Sequence, residues 1–381
     1  MEGKLETKQP LNLAPKKGIE LGLWSFGCAA LLVILFVSIV LWYLLVDPKT
    51  AIISVYPQPF GSWLFWNILT LVWFAFNFEF WCIKHLKQPT LGIVGFVVSF
   101  VFSIIAIWIV NYGLGALDPA FAPDRPGGLG FLTGCMFVLL GFYFYGASVA
   151  QWGHWPWTDA GVKQPLVGIG ELLMCTVIAL AGYLILVYPN LAVWAGEGGQ
   201  LLDMSTALGW FYSVIVLYIL TITITQNWPY SLCKTRAGTV ASSIIGNFLI
   251  GTLYYYFSLW LLKGYLIPPD VQQALGSGIN SYPAELGVCF VLWLLMWANA
   301  FGNWPTHFSN GGNMLVRLVI TFVLGVLSYL IYYNWGFWRV LHEPAIAGSY
   351  GGDALLWMDW VIFFLFAYAF AFNFWPFTRK E

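Results

Sequence analysis

The chain has 381 residues, of which 60% are hydrophobic, 19% aromatic and only 9% charged, and its mean hydropathy is +0.77. Soluble domains carry about 25% charged residues, so this composition excludes an ordinary water-soluble fold and predicts a protein that lives in a bilayer. A net charge of −1 without a basic stripe also removes the electrostatic footprint of nucleic-acid binding.

In chain order, a short N-terminal segment (1–23) precedes ten stretches long and apolar enough to cross roughly 30 Å of hydrocarbon. They lie at 24–46, 60–82, 90–112, 129–151, 166–188, 206–226, 238–262, 284–303, 314–334 and 354–375. The first continues apolar from Leu31 through Trp42 to Val46 with no small-residue cleavage site after it, so it reads as a retained helix rather than a signal peptide. The longest connection, 113–128, is rich in Gly, Pro, Asp and Ala. The expected fold is an all-α polytopic protein, and residues 1–381 form a single transmembrane domain.

Twelve of the 16 Lys and Arg residues fall on the side of the N-terminus, from Lys4 and Lys8 to Arg379 and Lys380, against Lys49, Arg125, Lys263 and Arg339 opposite. The positive-inside rule then predicts cytoplasmic termini, and the protein is expected in the plasma (inner) membrane.

The even-numbered spans end in a shared tryptophan signature. Its members are Asn77-Phe78-Glu79-Phe80-Trp81, His154-Trp155-Pro156, Asn227-Trp228-Pro229, Asn303-Trp304-Pro305 and Asn373-Phe374-Trp375-Pro376. Trp81, Trp155, Trp228, Trp304 and Trp375 are 74, 73, 76 and 71 residues apart. A second echo opens two returning helices, Lys87-Gln88-Pro89 and Lys163-Gln164-Pro165. This spacing predicts five two-helix repeats of about 73 residues. The repeats are parallel, and pairing span 10 with span 1 would close them as a ring. Proline stops each helix where a tryptophan ring can anchor at the interface, so these tryptophans read first as anchors and second as the lining of a shared vestibule.

Charge at depth is the usual sign of function in hydrocarbon. Glu171, in span 5, is the leading candidate for a coupling role; Glu79 is expected to reach the interface, and Asp359 sits near the outer end of span 10. Neutral polar residues concentrate in spans 6 to 8, where Thr221, Thr225, Asn247 and Asn299 could either glue helices together or line a polar path. His85, His154 and His307 share the tryptophan turns and are weak metal candidates, since no carboxylate or cysteine completes a motif. The six cysteines show no CxxC, and no Walker, dinucleotide or hydrolase motif occurs, so neither a cofactor nor a metal is expected.

These features favour a channel or transporter for a small neutral or weakly charged solute, with a polar path past spans 6 to 8 and Glu171 near it. A noncatalytic integral subunit or assembly scaffold is the alternative, and a lipid- or quinone-processing enzyme is a third. An enzyme is the less favoured class. The expected partners are membrane lipids, further copies of the chain and other integral subunits, not nucleic acid.

Overall fold

The structure is a computed structural model that describes residues 18–191, 199–347 and 350–380, apart from the side chain of Phe337. Residues 1–17, with Lys4, Lys8, Lys16 and Lys17, and the glycine-rich stretch around Glu197 lie outside the described residues. The chain is largely α-helical. The long helices are α1 (Leu23–Leu45), α2 (Phe60–Val72, continued by a π turn Trp73–Asn77), α3 (Thr90–Ile107), α4 (Leu129–Ala150), α5 (Leu166–Leu186), α6 (Met204–Thr223) and α7 (Arg236–Leu261). A short α8 (Pro269–Leu275) leads into α9 (Tyr282–Asn299), followed by α10 (Asn310–Ile331) and α11 (Ala354–Phe366, continued by a π turn Ala367–Ala371). Among the described residues, nine helices are long and apolar enough to cross a membrane, consistent with a multi-span bundle. The remaining predicted span is α2, shorter in its α-helical part and made less apolar by Asn67 and Asn77.

Burial sorts the helices into two classes. Within the most apolar stretches of α1, α3, α5, α7 and α10, 22% of residues are buried, against 67% for α4, 72% for α6, 83% for the stretch containing α9 and 94% for α11. In α2 every residue except Trp63 is buried. The well-buried helices are apolar around their whole circumference, as a helix enclosed on all sides must be. They pack as α2 on α4, α4 on α6, α6 on α9, α9 on α11 and α11 on α2. The others lie outside them, α3 on α2, α5 on α4, α7 on α6, α10 on α9 and α1 on α11.

Each outer helix buries a single narrow stripe at four-residue spacing. In α1 it is Phe26, Ala30, Ile34, Ser38 and Trp42; in α10 it is Asn313, Arg317, Thr321, Gly325 and Tyr329. A row of every fourth residue is a ridge inclined to the helix axis, so the outer helices lie obliquely across the inner ones. Small residues let the backbones approach: a Cβ at Gly251 would lie 2.9 Å from Val214 Cα, and one at Gly325 would lie 2.9 Å from Phe290 Cα.

Two strand pairs complete the chain. Parallel pairing of β1 (Ile19–Leu21) with β4 (Phe377–Arg379) fastens the start of α1 to the end of α11. At the other face β2 (Ala345–Ala347) pairs with β3 (Tyr350–Gly351).

Because the atoms facing Gly251 and Gly325 are backbone, neither contact can relax by a side-chain rotation. Gly251→Val and Gly325→Val are each expected to destabilise the purified protein by about 1–3 kcal/mol, the range for overpacking. Unfolding midpoints in detergent equal to that of the unsubstituted chain would show that the outer helices are not held by these close approaches.

Candidate functional site

Five inner-helix ends at the face bearing the termini share one backbone solution. Two consecutive residues adopt left-handed geometry, namely Glu79 and Phe80, Gly153 and His154, Gln226 and Asn227, Gly302 and Asn303, and Asn373 and Phe374. The amide of the second residue in each pair reaches back six residues: Phe80 N to Phe74 O, His154 N to Ser148 O, Asn227 N to Thr221 O, Asn303 N to Trp297 O and Phe374 N to Tyr368 O, all at 2.7–2.9 Å. Carbonyls that the helix would leave orphaned are thereby satisfied. Glycine and asparagine tolerate left-handed geometry best, which accounts for much of the composition before each tryptophan. Trp81, Trp228 and Trp375 are exposed, while Trp155 and Trp304 are half-buried.

Side chains from these turns clasp the neighbouring helix ends. Asn227 Nδ2 donates to Ala150 O (3.0 Å), and Asn303 Nδ2 to Thr223 O (2.9 Å). The two Gln-Pro starts do the same from the outer helices, Gln164 to Asn77 O (2.7 Å) and Gln88 to Ala371 O (2.6 Å).

At the second turn the clasp is ionic. Glu171 is fully buried, and its Oε2 accepts from Asn77 Nδ2 (3.0 Å). Its Oε1 lies 3.1 Å from His154 Nδ1, and His154 Nε2 is 3.5 Å from the half-exposed Glu79. Burial pushes the His154 imidazole down, but the hydrogen bonds and charges of Glu171 and Glu79 outweigh it and hold it up at about 9. The bond to His154 in turn holds Glu79 below its usual range, against the opposing pull of burial. Glu171 therefore ties α5 to the ends of α2 and α4.

Thr221 and Asn247 belong to a closed network between α4, α6 and α7. Gln151 Nε2 donates to Thr221 Oγ1 (2.8 Å), while Asn247 Nδ2 donates to Gln151 Oε1 (3.0 Å) and Asn247 Oδ1 accepts from Tyr230 OH (3.0 Å). Thr225 Oγ1 donates to the carbonyl of Trp228 (2.6 Å), and Asn299 Nδ2 to Leu295 O (2.8 Å). His85 and His307 are exposed, and no group of three or more His, Cys, Asp or Glu among the described residues is placed to hold a metal ion.

A different feature lies between the inner helices. A cavity of ≈ 30 Å³ is lined by residues from all five of them, including Phe65 and Ile68 of α2, Phe142 of α4 and Ile215 of α6. Val291 of α9 and Phe366 of α11 complete its apolar wall. Its one charged residue is Asp359, whose Oδ1 accepts from Tyr212 OH (2.9 Å) and whose Oδ2 is buried without a partner among the described residues. The sequence carried only half of this signal. A lone acid in span 10 is visible, but α11 is apolar on every face, so its periodicity cannot say which way Asp359 points.

Family models, curated proteins and solved structures yield no match to this chain.

The His154 clasp has a definite pH signature. With an imidazole that titrates at 6.5 when unfolded and about 9 when folded, its stabilisation is complete below pH 6.5 and is lost as the pH rises through 9. Thermal unfolding should therefore show a loss on the order of 2–3 kcal/mol across that window. Glu171→Gln should flatten the profile, and identical profiles for the two proteins would refute the assignment.

Proposed function

We propose that the protein is a channel or transporter for a small neutral or weakly charged solute, built from five two-helix units closed in a ring and held with its axis shut. The axial cavity carries this reading. Ile68, Phe142, Ile215, Val291 and Ile362 all line it, and each stands 13 residues before the tryptophan that ends its helix. One turn earlier, 16 residues before the same tryptophans, Phe65, Leu139, Tyr212 and Asp359 line it too. In the five-unit reading these residues are equivalent and form one layer around one axis. The shared backbone turns, the cyclic packing of the inner helices and the β1–β4 pairing, which joins α11 to α1 as loops join the other units, favour the same closure.

The axis is asymmetric along its length. Towards the face with the termini, which the distribution of Lys and Arg makes cytoplasmic in this reading, Phe76, Ala150, Asn299 and Phe370 each stand five residues before their tryptophan and are partly exposed. Towards the opposite face, 20 residues before their tryptophans, Gly61, Cys135, Ala284 and Leu355 are buried. The proposed path is thus a shallow cytoplasmic vestibule, with Asn299 on its wall, that ends at a plug including Phe142 and Phe366, whose rings stack at 6.5 Å. An apolar constriction of this kind blocks conduction by excluding water.

The test uses a protein in which Cys28, Cys82 and Cys233 are replaced by serine, leaving only buried native thiols. A water-soluble thiol reagent should label Asn299→Cys and Phe370→Cys but leave Val138→Cys unlabelled. Phe142→Ala with Phe366→Ala should let proteoliposomes leak small solutes such as urea or glycerol. The reading falls if neither vestibule cysteine reacts and the doubly substituted vesicles stay tight.

A further inference from the structure

Helix α11 is the most deeply enclosed in the bundle, and its N-terminal amides must be satisfied without water. Three carboxyls from three separate elements converge there. Asp353 caps the helix through Leu356 N (3.0 Å), Glu343 Oε2 accepts from Asp353 N (2.7 Å), and Glu285 Oε2, from the start of α9, accepts from Leu355 N (2.7 Å). Glu285 is 7% exposed and Glu343 only 3%. A helix N-terminus supplies roughly half a positive charge, far short of three carboxylates. Among the described residues no Lys, Arg or His forms an ion pair with any of the three; His342, next to Glu343 in the chain, pairs instead with Asp47 at 3.0 Å.

The surrounding groups are hydroxyls. Tyr332 OH donates to Glu343 and Tyr333 OH to Glu285 (3.0 Å), with Tyr329 and Tyr350 bonded to each other behind them. Asp47 and Tyr56 face Glu343 from the loops at the ends of α1 and α2. Oε1 of Glu343 is buried without a partner among the described residues, as is Oδ2 of Asp359 on the axis. Asp353 and Asp359 are six residues apart on one helix, a rise of about 9 Å. Glu285 accepts from Leu355 N at the start of that helix, and its charge reaches Tyr212, the hydroxyl bonded to Asp359.

We propose that these carboxyls are proton carriers: Glu343, Asp353 and Glu285 form an acid ladder that delivers protons from the face opposite the termini to Asp359 on the axis. The ladder deepens the transport reading and rests on it, making the proton the coupling ion. Each transfer moves one proton from a donor acid to an acceptor carboxylate, and at the last one the Tyr212 hydroxyl, bonded to Asp359, takes up a proton as it passes on its own, so that no other bond changes. An anionic oxygen with no donor in an apolar setting is costly, whereas the protonated form removes the charge and gains a donor. The outer groups behave accordingly. Burial and the charges of neighbouring acids lift Glu343 well above the usual carboxylate range, against the hydrogen bonds that oppose it. Burial raises Asp353 to about 6 despite two backbone hydrogen bonds.

Infrared spectroscopy of the full chain in lipid nanodiscs tests this independently of any solute. At neutral pH the protein should show the carbonyl band of a protonated carboxylic acid that shifts in D2O. Glu343→Gln and Asp359→Asn should each remove part of it, and Asp359→Glu should restore a band at a new position. Glu343→Gln should also slow the D2O shift of the Asp359 contribution at least about tenfold, while Glu79→Gln at the other face leaves it unchanged. No such band at neutral pH, or one that survives both substitutions together, overturns the proposal. Either outcome leaves the cysteine labelling and vesicle leak to decide the axial path separately.

Discussion

The architecture depends on one constraint: five helices are enclosed by other helices, so the polar groups at their ends must be satisfied by protein. An α-helix leaves four amides and four carbonyls unpaired, and a solvated helix gives them to water. Here the carbonyl ends are closed by the paired left-handed residues before each tryptophan and by clasping Asn and Gln side chains. The amide end of α11 is closed by carboxyls from its own cap, from α9 and from the loop after α10. Several of the titratable groups serve such ends: Glu171, His154 and Glu79 at one face, Glu285, Glu343 and Asp353 at the other.

The helix ends were also what the sequence displayed most openly. A left-handed residue favours Gly or Asn, a helix stop favours Pro, and an interface favours Trp, so the turn leaves a readable signature at five places. The outer helices were legible for a related reason. Only about one residue in five of each is buried, and that stripe is where Ser38, Ser99, Ser103, Glu171, Ser243, Asn247 and Arg317 appear. A polar residue in an otherwise apolar outer helix therefore marked the protein-facing side. That made Glu171 conspicuous, and the partners it meets stand at the ends of α2 and α4.

The inner helices were opaque. With apolar residues on every face there is no periodic contrast, so nothing distinguished Ile215, which faces the cavity, from Val214, which packs under Gly251. Asp359 looked like one acid near an interface because its partner Tyr212 is 147 residues away and on another helix. The acid ladder was hidden in the same way, since Glu285, Glu343 and Asp353 meet only once α9, α10 and α11 have packed. Asn299 stood out only as a polar residue of span 8, and Leu295, one turn away on the same helix face, lies on the cavity wall.

In the proposed five-unit reading, the places where equivalence between units fails carry the most information. Glu171 stands eight residues after a turn-opening Lys163, and its counterpart after Lys87 is Gly95; the corresponding buried stripe holds Ser243 in α7 and Arg317 in α10. All of the polar members bind cytoplasmic-face groups in the proposed orientation: Ser243 accepts from Trp152, Arg317 donates to Pro305 O, and Glu171 binds His154. That variation is one structural task solved with different side chains. The axial layer varies differently. Phe65, Leu139 and Tyr212 fill their positions with carbon, ring and hydroxyl, whereas Asp359 brings a carboxyl that nothing except Tyr212 compensates. A packing role would be met as well by another apolar residue and would avoid burying an unsatisfied oxygen. The cost is incurred at one of four cavity-lining positions, whose other occupants are Phe65, Leu139 and Tyr212, less than two turns along the helix from the acids that cap it, and that coincidence ties the axis to the face opposite the termini.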